Sequence, residues 1–347
     1  MCGINGITQG HQTERIHKMM EFTKRRGPDG SSTYTDDRIT LGHNLLAIYA
    51  KPEDSKQPFI LRNNVLVFNG AIYNYKELDE WNCQSNTDTE VLAHGLEKYG
   101  MEFLKRCNGM WAFAWYDKKD GKTYLCRDHF GVKPIYYKRT KTGLMFSSSW
   151  RALENKNNYL NMFSYSMYKA FGYVPGYLTL IKDVYKVTPG EYMVWNHRKE
   201  ILTRGSLYKD WQLNTNQKWD EEEFQHMLKQ AIDQSSVGIR EKGLFLSGGL
   251  DSASIMHYHN NNGINRTYST SVPTSNTQFN SDSSSAKLLA KDYNLDHTDI
   301  HFTPSLYLEH LEEAAAAMEL PTTNPSNPMY FYTNKVMRKN GIIVTYS

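Results

Sequence analysis

Two kinds of alternation divide this chain, and each points to a different sheet. Through roughly the first two hundred residues, short apolar segments alternate with turn chemistry, as in "LGHNLLAIYA", "NNVLVFNGAIY", "GMWAFAWYDKKDGKTYLCRD" and "GEYMVWNHRKEIL". Asn63-Asn64 and Asp120-Gly121 suit hairpin turns. Few helical patterns interrupt; one runs from Thr89 to Tyr99, with Val91, Leu92, Gly95 and Leu96 on a shared face. Stacked antiparallel sheets follow from this composition.

The pattern changes across 206–220, "SLYKDWQLNTNQKWD", a polar, strand-poor stretch that reads as a linker. Beyond it Phe224, Met227, Leu228, Ala231 and Ile232 keep helical spacing. A strand (Leu244–Leu246), a helix (Ser252–Asn261), a strand (Thr267–Val272), three helices (Ser285–Tyr293, Leu306–Glu319, Met329–Lys339) and a strand (Ile342–Tyr346) are expected next. Such β/α alternation implies a parallel sheet covered by helices on both faces. Two domains are expected, 2–205 and 206–347, which agrees with 347 residues at roughly 100–200 per domain.

Composition narrows the function classes. A 39% hydrophobic and 22% charged chain is globular. Forty Lys and Arg against 37 Asp and Glu leave +3, a balance that argues for neither a nucleic-acid nor a membrane partner. The four cysteines, Cys2, Cys83, Cys107 and Cys126, have neither metal-ligand spacing nor a dense disulfide pattern. No signal core or membrane-length apolar run is present, so a cytoplasmic location is expected.

The apolar run Leu244-Phe245-Leu246 breaks into Ser247-Gly248-Gly249 and then Asp251-Ser252. In an open α/β sheet, ligands bind where strands end and helix N-termini present free N–H groups. Two glycines let the backbone approach phosphate oxygens, and two hydroxyls add donors. Asp251 would repel phosphate unless it holds Mg²⁺. No Gly-Lys-Ser/Thr follows, so this is not a Walker loop. A glycine turn with a capping Ser or Asp is the plainer alternative. The complete "SGGLDS" after an apolar strand resembles the pyrophosphate loop of ATP pyrophosphatases. That resemblance implies nucleotide contacts from Leu246 and Thr270, largely through the backbone.

The chain opens Met1-Cys2-Gly3. Excision of the methionine would leave an amine, with an ordinary pKa near 7.7–8.0, beside a thiol it can deprotonate. "RRGPDG" (Arg25–Gly30), "FNGAIYN" (Phe68–Asn74), "SNTDTEV" (Ser85–Val91) and "RDHFGVKPIYY" (Arg127–Tyr137) follow in order. Together with Cys2 these resemble a class II glutamine amidotransferase domain. "GYVPGYLTLIKDVYKVTPGEY" (Gly172–Tyr192) followed by "LSGGLDS" resembles glutamine-hydrolysing asparagine synthetase, and the resemblance covers essentially the whole chain.

The resemblance implies an αββα sandwich of N-terminal nucleophile hydrolase type, followed by a parallel-sheet α/β domain of ATP pyrophosphatase type. It implies that Cys2 attacks the glutamine amide while Asn69 and the Gly70 N–H hold the oxyanion. Asp88 would pair with the substrate ammonium and Arg26 would brace the pocket. Ammonia would pass to the second domain. There aspartate attacks ATP, with pyrophosphate on Ser247, Gly248, Gly249 and Ser252 and Mg²⁺ near Asp251. Glutamine, aspartate and ATP are the implied substrates, and a homodimer is compatible with them.

Three departures stand out. The family's "H-x-R-L-[AS]-I" is here His43-Asn44-Leu45-Leu46-Ala47-Ile48, and Leu45 cannot hold an anion. "NGE" is Asn69-Gly70-Ala71. Weakened glutamine binding is therefore expected, unless a cation such as Lys51 or Arg62 compensates. Thr322–Tyr330, "TTNPSNPMY", resembles the acceptor segment but carries no arginine, leaving another carboxylate acceptor open. The last residue, Ser347, coincides with the first of the family's "SGEGxDE" loop, which would place it at the nucleotide. An N-terminal fragment of a split synthetase, completed by a second polypeptide, is the expectation that follows; a catalytically weak assembly subunit is its alternative.

Overall fold

The computed structural model describes residues 1–154, 159–208, 218–259, 263–274, 280–320 and 323–347. The chain divides into two compact units, Met1–Thr215 and Asn216–Ser347. Of the segment read as a linker, Leu207 is buried and its N–H donates to Gly190 O in the first unit. Residues 209–217 lie outside the described residues, and Asp220 caps the first helix of the second unit.

Among the described residues, twelve strands build the first unit. They are β1 (Gly3–Ile7), β2 (Gly30–Thr35), β3 (Thr40–Leu45), β4 (Phe59–Leu61), β5 (Asn64–Ile72) and β6 (Gly109–Asp117). Then come β7 (Lys122–Arg127), β8 (Tyr136–Thr140), β9 (Gly143–Ser147), β10 (Tyr185–Lys186), β11 (Glu191–Asn196) and β12 (Ile201–Ser206). They form two six-stranded sheets, ordered β10-β8-β9-β1-β3-β2 and β12-β11-β7-β6-β5-β4. Every neighbouring pair is antiparallel. The β4–β5 turn falls at Arg62-Asn63 rather than Asn63-Asn64: Arg62 takes φ 52°, and Asn64 already pairs with Leu61.

The inner faces meet in one core. Ile4, Leu41 and Phe146 from one sheet pack with Val65, Val67, Ala114 and Met193 from the other. Helix α1 (Thr13–Thr23) covers one outer face, because Ile16, Met19, Met20 and Thr23 recur at i, i+3, i+4 and i+7 and bury against Ile7 and Met145. After the single turn α2 (Tyr75–Leu78), α3 (Asp88–Tyr99) lies on the opposite sheet, with Val91, Leu92 and Leu96 buried. Thr87 caps α3 by accepting the Glu90 N–H at 3.4 Å. Helix α4 (Met162–Phe171) starts at the Asn161 cap and ends at Gly172, φ 77°. Helices outside two stacked sheets make the expected αββα sandwich.

The second unit alternates α5 (Glu221–Ser235), β13 (Lys242–Phe245), α6 (Leu250–His259), β14 (Arg266–Ser271), α7 (Ser281–Asp292) and β15 (Asp296–His301). Helices α8 (Pro304–Ala317) and α9 (Asn327–Lys339) and strand β16 (Val344–Tyr346) complete it. The sheet runs β15-β14-β13-β16 and is wholly parallel. Leu244 and Leu246 pack with Met256, Ala286 and Ala290, while Tyr268 and Ile300 pack with Met337 and Ile342, so apolar contacts cover both faces. Residues 260 and 261 of the expected second helix lie outside the described residues.

Strand β15 was not expected from the sequence. One face of "DHTDIH" carries His297, Asp299 and His301 instead of apolar residues. These pair along β14: His297 Nδ1 lies 2.9 Å from Thr267 Oγ1, and Ser269 and Ser271 donate to Asp299 at 3.0 and 2.9 Å. A polar ladder hides the strand's periodicity.

Candidate functional sites

The first unit's site forms where the chain enters β1. Cys2 is 9% exposed and packs with Leu45 and Ala47. Its Sγ donates to Leu46 O at 3.6 Å and accepts from Leu46 N–H at 3.4 Å. Burial pushes the thiol pKa up, against the pull of the chain's amino group and of Lys133. A resting thiol that resists ionisation needs a base close by.

Strand β5 supplies the electrophilic wall. Asn69 is 1% exposed, yet neither its Oδ1 nor its Nδ2 has a hydrogen-bond partner among the described residues. Buried amides are ordinarily satisfied, so such a group in a pocket is poised for a ligand. A side chain at Gly70 would come within 2.4 Å of Met110 O and 2.8 Å of Trp111 Cα, so β6 leaves room only for glycine. His43 links the two sheets behind the pocket: burial pulls its pKa down to about 4, and the neutral ring's Nε2 lies 3.2 Å from Phe68 O.

Asp88 opens α3, where it is 4% exposed and its Oδ2 accepts the Ile72 N–H at 3.0 Å. Burial outweighs these bonds and pushes its pKa up to about 7. Arg26, from the turn Lys24–Arg26, donates from Nε to Cys2 O at 3.4 Å and so braces the backbone carrying the thiol. Cys2, Leu45, Asn69, Gly70 and Asp88 line one pocket. The residues expected at this site are thus brought together.

Of the two cations considered as substitutes for the missing arginine, neither lines this pocket: Arg62 pairs with Glu97 at 2.9 Å, and Lys51 is exposed. The cation that does line it is Lys133, which is 7% exposed. "RDHFGVKP" delivers it. Asp128, fully buried, accepts the backbone N–H groups of Trp111, Phe130, Val132 and Lys133 at 2.9–3.2 Å. Arg127 donates to the carbonyls of Lys133 and Val187, each at 2.9 Å, and to that of Gly131, which turns at φ 67°. Sequence reasoning reached this segment without singling out the lysine. The available signal was a charged residue immediately before a proline inside a tight loop.

The second unit's site lies at the carboxyl ends of its strands. Leu246 and Ser247 follow β13, Thr270 is the penultimate residue of β14, and Ser347 follows β16. Because Leu244 pairs with Tyr346, Ser347 emerges beside this loop. Ser252, 5% exposed, holds the turn closed: its Oγ accepts the Ser247 N–H at 3.2 Å, donates to Gly249 O at 3.1 Å and lies 3.0 Å from Ser247 Oγ. Gly248 takes φ 76°, and a Cβ there would come within 2.6 Å of Asp282 O. Left-handed backbone against a helix start, flanked by two hydroxyls, fits a phosphate group. Asp251 is exposed in the first turn of α6, open to a solvated cation. The acceptor-like segment begins outside the described residues at 322; Thr323, Asn324, Pro325, Asn327 and Pro328 line a separate pocket with Tyr307 and Leu311.

Among the described residues, one group brings three different metal-capable side chains within 4.8 Å: Cys83, Glu90 and His94. Glu90 there accepts the Ser85 N–H at 2.7 Å, and His94 stacks on Trp81. No helix among the described residues is long and apolar enough to cross a membrane.

A buried thiol and an unsatisfied amide line one pocket of the αββα sandwich, and a glycine turn closed by two serines stands on a separate parallel sheet. Residues 1–206 match the family of glutamine amidotransferase domains, and residues 223–347 match that of asparagine synthase. The chain belongs to the glutamine-hydrolysing asparagine synthetase family. It is 27% identical over 367 residues to asparagine synthetase [glutamine-hydrolyzing] 1 of Bacillus subtilis, covering 97% of this chain and 56% of that protein. Asparagine synthetase B [glutamine-hydrolyzing] of Escherichia coli is 26% identical over 373 residues, covering 97% and 61%. The Zea mays enzyme is 27% identical over 359 residues, covering 97% and 56%. The chain thus spans little more than half the length of these relatives.

Proposed function

We propose that the first unit hydrolyses glutamine and the second binds ATP, as parts of an ATP-dependent synthesis of asparagine. Support for the first half centres on Asn69: a fully buried side-chain amide without a hydrogen-bond partner among the described residues, lining the same pocket as a thiol. In this reading Met1 is removed, and the freed amine takes the Cys2 proton as sulfur attacks the side-chain amide carbon. Asn69 Nδ2 and the Gly70 N–H receive the developing oxyanion, and Asp88 receives the substrate ammonium. Ammonia departs, and water releases glutamate from the thioester.

In the second unit the turn 247–252 holds the pyrophosphate portion of ATP, with Leu246, Thr270 and Ser347 beside the nucleotide. Mg²⁺ at Asp251 supplies positive charge against the phosphates. The aspartate β-carboxylate attacks the α-phosphorus, pyrophosphate leaves, and ammonia displaces AMP to give asparagine. Functional domains of 2–205 and 206–347 accompany this division of labour.

The test supplies the full chain with glutamine or ammonia, ATP, Mg²⁺ and aspartate, and measures glutamate, AMP and asparagine separately. Glutamate release with an amino-terminal Cys2 found by mass spectrometry supports the first half; AMP formed with asparagine supports the second. Glutamine left intact by a chain that starts at Cys2 refutes the first.

A further inference from the structure

Resting on the glutamine reading of the first pocket, we propose that Lys133 receives the substrate's α-carboxylate and so selects α-amino-acid amides. Four observations carry it. Lys133 is the one Lys or Arg among the described residues lining the pocket that holds Cys2, Asn69 and Asp88. Its side chain is almost wholly withdrawn from solvent, yet no hydrogen bond or ion pair among the described residues engages its Nζ. Buried ammonium groups are ordinarily paired, and the Asp128 carboxylate that acts on this one is already occupied by four backbone N–H groups, which leaves the ammonium open to an arriving anion.

The lysine is also held in place. Its N–H donates to Asp128 Oδ2 and its carbonyl accepts from Arg127 Nε, both at 2.9 Å, so the stem leaves a clamped backbone. Last, the pocket's chemistry matches the parts of the substrate. Asp88, Leu45, Ala47 and Asn69 line the same pocket, an anion suited to the ammonium, apolar side chains suited to the methylenes and an amide suited to the substrate's amide. Only the carboxylate lacks a counterpart without Lys133. Burial and nearby Arg26 pull the ammonium's pKa down to about 8, so it is still mostly charged at neutral pH and is stabilised by an arriving carboxylate.

The test compares the full wild-type chain with Lys133→Met and Lys133→Arg, using two substrates: L-glutamine and 4-aminobutanamide, which keeps amine and amide but lacks the α-carboxylate. Loss of one charge-assisted contact should raise the glutamine KM about ten- to a hundredfold in Lys133→Met with little change in kcat. Ammonia release from 4-aminobutanamide should fall far less than that from glutamine, by the loss of the lysine's pull on the thiol alone, and Lys133→Arg should recover most of the glutamine KM. An equal fall in kcat/KM for both substrates would assign the lysine to the thiol instead and overturn the inference, as would an unchanged KM.

Calorimetric binding of L-glutamine in a Cys2→Ala background separates this inference from the hydrolysis reading. Glutamine that binds without being hydrolysed by the wild type, and binds more weakly with Lys133→Met, upholds the carboxylate site while refuting hydrolysis. Absence of binding refutes both.

Discussion

The second unit's site is written almost in one stretch, residues 246–252, and stands at the open ends of parallel strands. The first unit's site gathers residues 2, 69, 88 and 133 from separate elements and buries each of their side chains to about nine-tenths or more. One needs only a strand, a turn and a helix start; the other needs two sheets closed on each other and a clamped loop. A local site depends on backbone conformation, whereas an assembled one depends on burial and on the charges burial leaves uncompensated.

The sharpest break in this comparison is the nucleophile. Cys2→Ala should lower glutamate release from glutamine a thousandfold or more, the usual scale for removing an attacking group that acts with its base. Calorimetric ATP binding should be retained, since the 246–252 turn is closed by its own residues within the second unit. Residual glutaminase activity within tenfold of wild type would move the chemistry elsewhere.

Next in size is the electrostatic cost at Asp88. Its folded pKa is raised to about 7 by burial, against roughly 3.9 for an unfolded aspartate. The sign follows: the native state favours the protonated acid, so stability is fully present below about pH 4 and is lost as pH rises towards 7. Three pH units at about 1.4 kcal/mol each set a cost on the order of 4 kcal/mol above pH 7. Asp88→Asn mimics the neutral form and keeps an acceptor for the Ile72 N–H. Thermal unfolding should show the variant more stable than wild type at pH 8, with the difference vanishing near pH 4, while glutamine binding weakens. A pH-independent difference would mean that Asp88 carries no buried charge.

The same division explains what could be read without a structure. "SGGLDS" was legible because its geometry is local: a strand ends, Gly248 turns left-handed, and Ser252 closes the loop. Helix α3 was legible from its apolar face. Helix α1 has an equally regular face in Ile16, Met19 and Met20 but was not expected, since the alternation of the surrounding segments dominates that region. Strand β15 escaped because its alternating residues are His297, Asp299 and His301, whose partners Thr267, Ser269 and Ser271 lie 28 to 30 residues away. Lys133 escaped for a related reason. Its destination is fixed by Asp128 and Arg127 folding back the loop, and no spacing rule carries a side chain into a pocket built from Cys2, β3, β5 and the start of α3.

The smallest expected effect tests whether the open site is truly local. Gly248→Ala forces a side chain into φ 76°, where an L-residue costs roughly 1–2 kcal/mol, and aims its Cβ at Asp282 O. The turn must shift or unfold slightly, which should weaken ATP or pyrophosphate binding about tenfold. Gly263, also at positive φ but with nothing among the described residues within 4 Å of where a Cβ would sit, supplies the control: Gly263→Ala carries similar backbone strain without that clash and lies outside the turn. If both variants bind ATP equally, the loss at 248 is general strain. If only Gly248→Ala weakens, with glutaminase activity unchanged, the phosphate site depends on that one backbone approach and owes nothing to the assembled pocket of the first unit.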